Sequence, residues 1–577
     1  MTRTHLLFQY LAGIVILLFF SGNFACQKAA DGPDYISQQQ AVFDSAAIVS
    51  AHPLASEVGE DILRKGGNAV DAAIAVQFAL AVVYPRAGNL GGGGFMMIRT
   101  ADGESAALDY REKAPAAATA DMYLDSLGHV IENISRYGHL SVGVPGTVAG
   151  MSAAHERYGS TLTFADLVKP AVKLARNGFK ITAAEADRLN EYKADFIEYN
   201  PDKKLPFVKE EDWKAGDLLQ QKDLAVVLER IEKAGRAGFY QGKTAELLLT
   251  EMRNGKGLIS QRDLDDYAAV WRKPLIGAYK NYRIHSMPPP SSGGVALMQI
   301  LEATEDFPLS DYGYNSTSAV HLIVEAERRA YADRAVHLGD ADFYDVPLDT
   351  LLDPAYIRSR MQDFSPLAAT PSDSILSGDI HPVPESFETT HTSVIDAAGN
   401  AVSVTTTLNL NYGSKIVVAG AGFFLNDEMD DFSAKPGVPN YFGLIGAEAN
   451  KIEPGKRMLS SMTPTIIEKD GRLFMVLGSP GGSTIITSVF QVFINVAEFN
   501  MTLPEAVAAK RFHHQWLPNT VMTEVDTPLD TLALQKMGHV IDAGKRLGLV
   551  KAILVTDAGK LSAVGDPRHA DDDVSGW

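Results

Sequence analysis

Residues 389–409 read TTHTSVIDAAGNAVSVTTTLN. Two β-rich runs flank Ala397-Ala398-Gly399, and a three-residue hairpin loop needs a left-handed residue, which Gly399 supplies. That loop pairs Asp396 with Asn400, Val394 with Val402 and Thr392 with Val404, and it carries Thr389 opposite Thr407. A slip of one residue would turn every side chain to the other face. The register therefore sets two hydroxyls face to face at the end of a sheet. Just upstream, residues 371–388, PSDSILSGDIHPVPESFE, have no periodic pattern and several prolines, the composition of a linker.

A threonine hydroxyl is a weak nucleophile until a base takes its proton. His391 is a neighbour, but along a strand the residue two positions on points the same way and stays several Å off. A chain cut before Thr389 would provide a closer base. The freed α-amine titrates at about 7.7–8.0 and lies within reach of its own residue's hydroxyl, one of the known nucleophile–base pairings. Strand threonines are also ordinary β-formers. The hairpin alone therefore leaves both readings standing.

The chain has 577 residues, 46% hydrophobic and 21% charged, enough for two or more cooperating layers. Its net charge of −19 argues against nucleic acid, which demands a basic footprint. Residues 1–25 follow the order of a secretory signal peptide, with Arg3, a short apolar run and then small residues. The sole cysteine, Cys26, stands where a bacterial lipoprotein would carry its lipid, although Asn23 and Phe24 depart from that pattern. The expectation is an exported, periplasmic protein held to the membrane only by an N-terminal lipid anchor. Nowhere else does the sequence run to about 18 uninterrupted apolar residues.

Further along, residues 55–85 read as two helices, with Gly66-Gly67 ending the first and Asn68 capping a second that is apolar all round. FMMIRT and AALDYRE read as strands about Asp102-Gly103. Residues 150–365 read as largely helical, broken by PPPSSGG at 288–294. After residue 388 strands dominate, with helical spacing returning in SVFQVFINVAEF and PEAVAAKRF and a closing hairpin in KAILVTDAGKLSAVGD. Helices flanking a mainly antiparallel sheet make an α+β layered fold. RFHHQW offers two histidines but no third ligand at metal spacing, and reads as structural. DPRHADDD, 566–573, reads as a solvated or inter-subunit charge cluster.

In order along the chain, GNLGGGGFM, LDYREKAP, VGVPGTVAG, TTHTSVIDAAGNAVSVTTTLN, LNDEMDDFSAKPGVPN, KRMLSSMTPT, GSPGGS and RFHHQWLP closely resemble the bacterial γ-glutamyltransferases, or glutathione hydrolases. The resemblance implies the N-terminal-nucleophile hydrolase fold, a four-layer αββα sandwich. It further implies self-cleavage between Glu388 and Thr389 into a large subunit, 26–388, and a small catalytic subunit, 389–577, that stay together as a heterodimer. Thr389 would be the nucleophile and Thr407 its hydrogen-bond partner. Gly481 and Gly482 would supply backbone donors to the oxyanion.

Arg111, Ser460 and Ser461 match the family's ligands for the donor's α-carboxylate. Asn409, Glu428 and Asp431 match those for its amino acid end. Glutathione or another γ-glutamyl compound is the implied donor, and water, an amino acid or a peptide the acceptor, with no metal or organic cofactor. Phe442 aligns where the family's lid commonly carries a tyrosine. A cephalosporin or glutaryl acylase on the same scaffold is the nearest rival, and a non-catalytic lipoprotein a more distant one.

Overall fold

Strands from both sides of position 388 build two stacked sheets. The computed structural model describes residues 33, 35–375, 389–435 and 447–577. The expected signal peptide, Cys26, the span 376–388 and Phe442 lie outside the described residues. One antiparallel sheet of seven strands runs in the order Asp573–Gly576, Ala47–Ser50, Thr390–Ile395, Ala401–Thr407, Gly93–Arg99, Ser105–Asp109, Val270–Arg272. The other runs Gln40–Phe43, Leu561–Val564, Lys551–Val555, Arg472–Gly478, Thr465–Lys469, Tyr282–Ser286, Leu275–Tyr279. Both sheets combine strands from before and after residue 389. The hairpin takes the expected register, Val394 opposite Val402 and Thr390 opposite Thr406, with Gly399 at φ +90°.

Period two sorts the side chains of the hairpin between two cores. Val394, Val402 and Val404 face helix Ala69–Val83, on which helix Phe164–Asn177 packs in turn. Ile395 and Ala401 face the opposing sheet, where they meet Ile466, Val476 and Ile553. Helix Ala69–Val83 is buried on every side, as its uniform apolarity requires, and Asn68 closes a capping box with Asp71 at its start. The outer face of the second sheet is covered by helices Gly293–Glu305, Thr317–His337 and Thr484–Ala497. The layers are helix, sheet, sheet, helix.

Between the sheets, polarity rises toward the Thr389 end. Ser393 Oγ donates to Lys551 O at 3.2 Å, and Ser403 Oγ to Leu477 O at 3.0 Å. His391 hydrogen-bonds Thr405 Oγ1 through Nδ1 at 2.8 Å and lies against Gly478. Its burial and the Lys551 ammonium hold its pKa well below the usual value, so the ring is neutral.

Three expectations change. The span 150–365 is not all helix: Val270–Arg272, Leu275–Tyr279 and Tyr282–Ser286 are strands. The turn between the last two is Lys280-Asn281, with Lys280 at φ +51° and no glycine to announce it. The start of the expected linker at 371 is tied down, because Ser372 is buried, donates to Trp516 O at 2.6 Å and receives Arg328 Nη1 at 2.7 Å. DPRHADDD is not solvated. Asp566, Asp571, Asp572 and Asp573 are buried, with Asp566 on Arg511 and Asp572 on Lys551. Asp571 receives Thr182 Oγ1 and Asp573 receives Gln38 N, both at 2.8 Å, from segments far earlier in the chain.

Burial raises Asp573 from 3.8 to about 6. The contribution of its neutral form is full below pH 3.8 and is lost as pH rises through 6. Between pH 4 and 7 the wild type should therefore lose up to about 3 kcal/mol relative to Asp573→Asn. Denaturant midpoints at pH 4, 5.5 and 7 measure this, and parallel profiles would contradict it. A Cβ at position 478 would lie 2.2 Å from His391 Cε1. Gly478→Ala should accordingly cost about 1–3 kcal/mol by overpacking, read as a lower Tm.

Candidate active site

The hairpin end places Thr389 Oγ1 3.4 Å from Thr407 Oγ1, with both residues buried. Thr407 Oγ1 also accepts Asn409 N at 2.8 Å. Its carbonyl accepts Asn89 Nδ2 at 2.8 Å, while Asn89 Oδ1 takes Gly92 N and Thr147 Oγ1. This fit explains the glycine run at 91–94, since a Cβ on Gly92 would stand 2.1 Å from Thr407 O. Asn89 has no place among the expected site residues. An asparagine just before GGGG was the available signal.

Moving along the strand from Ser393 to His391, the contacts on the facing strand advance from Val476 to Gly478. Gly481 and Gly482 have φ values of +138° and +54°, a pair only glycine adopts readily. Their carbonyls accept Thr484 N and Ile485 N, opening helix Thr484–Ala497. Among the described residues neither glycine N–H has a hydrogen-bond partner. The loop is braced by Ser479 Oγ, which accepts Leu549 N at 2.8 Å, and by Ser483 Oγ, which donates to Gln515 Oε1 at 2.6 Å.

Arg111 is 1% exposed. Glu428 and Asp431 lie three apart on one 3-10 turn, where such residues share a face. Glu428 takes Arg111 Nη1 and Asp431 takes Nη2, while Nη2 also donates to Leu459 O at 3.2 Å. Here Arg111 is thus not an open fork awaiting a carboxylate, because its terminal nitrogens are already bound to acids. Asn409, at φ +77°, donates from Nδ2 to Asp427 O at 3.1 Å rather than to either acid. Asn426, not foreseen, ties the acidic loop to Gly91 O and Gly143 O, both at 2.8 Å.

Burial pushes Glu428 and Asp431 above the usual carboxylate range against the pull of Arg111. Burial likewise raises Glu112, beside Arg111, to about 8. Among the described residues, Glu428 Oε1 has no hydrogen-bond partner. Three buried acids thus surround one guanidinium. Ser460 and Ser461 close the far side. Ser460 N donates to Pro290 O at 3.0 Å, and Ser461 Oγ receives Arg334 Nη2 at 3.1 Å.

The RFHHQW histidines are buried structural groups. His513 Nδ1 bonds Thr487 Oγ1 at 2.8 Å, and His514 N donates to Glu327 at 2.8 Å. His321, Glu325 and His539 do bring ligand atoms within 4.8 Å of one another. Arg328 and Arg329 already hold Glu325, however, so a divalent cation there would face two guanidinia.

Among known proteins, the family model for gamma-glutamyltranspeptidase matches residues 55–576. The glutathione hydrolase proenzyme of Escherichia coli K12 is 47% identical over 532 residues, covering 92% of this chain and 91% of that relative. The fold is similar to that of a cephalosporin acylase from Bacillus halodurans, with TM-score 0.80 at 24% identity, covering 96% of this chain and 99% of that one. The gamma-glutamyltranspeptidase of Helicobacter pylori matches at TM-score 0.56 and 49% identity, over 57% of this chain and 94% of that one. These neighbours have the N-terminal-nucleophile hydrolase fold, and the stacked sheets here are of that type. With agreement at this identity running almost from end to end, the chain belongs to the gamma-glutamyltranspeptidase family.

Proposed function

We propose that this chain cuts itself between Glu388 and Thr389 and then transfers γ-glutamyl groups from glutathione or related amides to water, an amino acid or a peptide. The observation that carries the reading is the buried pair Thr389 and Thr407, hydroxyl to hydroxyl, at the end of the hairpin.

Once freed, the Thr389 α-amine takes the proton of Oγ1, and the oxygen attacks the γ-carbonyl. The tetrahedral oxyanion is received by the Gly481 and Gly482 N–H groups. Collapse returns the proton to the leaving amine and leaves a γ-glutamyl ester on Thr389. Water or an acceptor amine then adds to that ester by the same route and regenerates the free hydroxyl. No step calls on a metal or organic cofactor.

Selectivity follows from the closed ion pairs of the pocket. An α-amino acid end carries both charges, so its ammonium can draw Glu428 and Asp431 while its carboxylate takes Arg111. Each substrate charge then meets a group of opposite sign. A glutaryl group brings only a carboxylate and would strand the acids, which disfavours the acylase reading. Ser460 and Ser461 add hydroxyl donors to the carboxylate, and Asn409 helps hold the amino acid end. We place the protein in the periplasm, anchored through a lipid on Cys26, with Phe442 altering the lid and hence the balance of hydrolysis and transfer.

A denaturing gel of purified protein should show two bands, the smaller beginning Thr-Thr-His on N-terminal sequencing. Thr389→Ala should remain a single inactive chain, and a normally cut variant would overturn the assignment. The mature enzyme should hydrolyse a γ-glutamyl anilide at least about a hundredfold faster than a glutaryl anilide, by the cost of leaving buried charges unpaired. The opposite ranking would make it an acylase.

A further inference from the structure

Arg334 stands on the buried face of helix Thr317–His337, 4% exposed, and enters none of the steps above. It donates from Nη2 to Ser461 Oγ at 3.1 Å and from Nε to Ser292 Oγ at 2.9 Å. Ser292 in turn donates through both Oγ and N to Ser460 O, each at 2.7 Å. One planar guanidinium thus braces both halves of the Ser460-Ser461 step. A lysine, with a single point of attachment, could not reproduce that fork. The PPPSSGG break in the sequence supplies Ser292 at the start of helix Gly293–Glu305.

Charge points the same way. Arg111 has both terminal nitrogens on acids, so it does not by itself offer a free positive centre to an arriving carboxylate. Arg334 is close enough to Asp431 to pull that carboxyl down against its burial. The acids Glu428 and Asp431 and the guanidinia Arg111 and Arg334 make up the charged set beside the serines. A zwitterion can enter that set without leaving a charge over. Without Arg334, the pocket would be one positive charge short on the serine side.

We propose that Arg334 is a positioning residue for the donor's α-carboxylate, orienting the Ser461 hydroxyl and the Ser460 backbone and setting a second guanidinium behind them. This rests on the γ-glutamyl reading above. It predicts a defect specific to the carboxylate rather than a general loss of structure.

The test compares wild type, Arg334→Gln and Arg334→Lys on γ-glutamyl-4-nitroanilide and on its decarboxylated analogue, 4-aminobutyryl-4-nitroanilide. Loss of hydrogen bonding to a charged group should raise KM for the γ-glutamyl substrate about ten- to a hundredfold in Arg334→Gln with kcat little changed. The ratio of kcat/KM between the two substrates should collapse by the same factor. Arg334→Lys keeps the charge without the fork and should fall between. An unchanged ratio in a matured variant overturns the proposal, as does an equal loss on both substrates. If Arg334→Gln fails to mature, Arg334→Lys decides alone, and an unshifted ratio there counts against the proposal. Wild type inactive on the γ-glutamyl substrate would instead sink the functional reading itself.

Discussion

A guanidinium withdrawn from water must be matched charge for charge, and Arg111 is matched by Glu428 and Asp431. Removing one partner of such a buried pair costs about 3–5 kcal/mol, because the survivor is left uncompensated. That requirement reaches far along the chain. It brings the end of strand Ser105–Asp109 against the 3-10 turn Glu428–Asp431, and it fixes the backbone of residues 458–459 through their carbonyls. The loop Asn426 anchors beside Gly91 and Gly143 is therefore the same loop that grips Arg111. The glycine-rich turn, the hairpin end and the acidic turn are held in one frame, and the two threonines sit inside it.

The space between the sheets carries the second constraint. Its apolar end, around Ile395, Ile466 and Ile553, can be filled by any well-packed aliphatic set. Its polar end cannot, because each hydroxyl and imidazole removed from water needs a partner. Ser393, Ser403, His391 and Thr405 meet that need through each other and through carbonyls of the facing sheet. The polar ladder leads directly to the Thr389–Thr407 pair. The Thr389 hydroxyl is thus set at the end of a rigid stack rather than on a loop.

Much of this was legible in the sequence because it depends on local rules. Gly399 fixes the turn, the turn fixes the register, and the register fixes Thr389 opposite Thr407. Asn68 and the all-apolar helix that follows were equally plain. The strands at 270–286 escaped notice because Lys280-Asn281 makes their turn without glycine or proline. The burial of DPRHADDD escaped because isolated aspartates look solvated until Arg511, Lys551, Thr182 and Gln38 arrive from distant segments. The same limit hid Asn89, Asn426 and Arg334. Each acts through a partner dozens to hundreds of residues away, and spacing along a single chain records nothing of that.

The order of strands in the two sheets has one more consequence. Ala47–Ser50 lies between Asp573–Gly576 and Thr390–Ile395, and Gly93–Arg99 pairs with Ala401–Thr407. In the second sheet, Tyr282–Ser286 pairs with Thr465–Lys469 and Gln40–Phe43 with Leu561–Val564. A single break before Thr389 would leave two polypeptides woven through each other like interlaced fingers. They could part only by unfolding both sheets, so dilution would not separate them. Their association would be a property of the fold, independent of concentration, with no docking surface for a free partner to find.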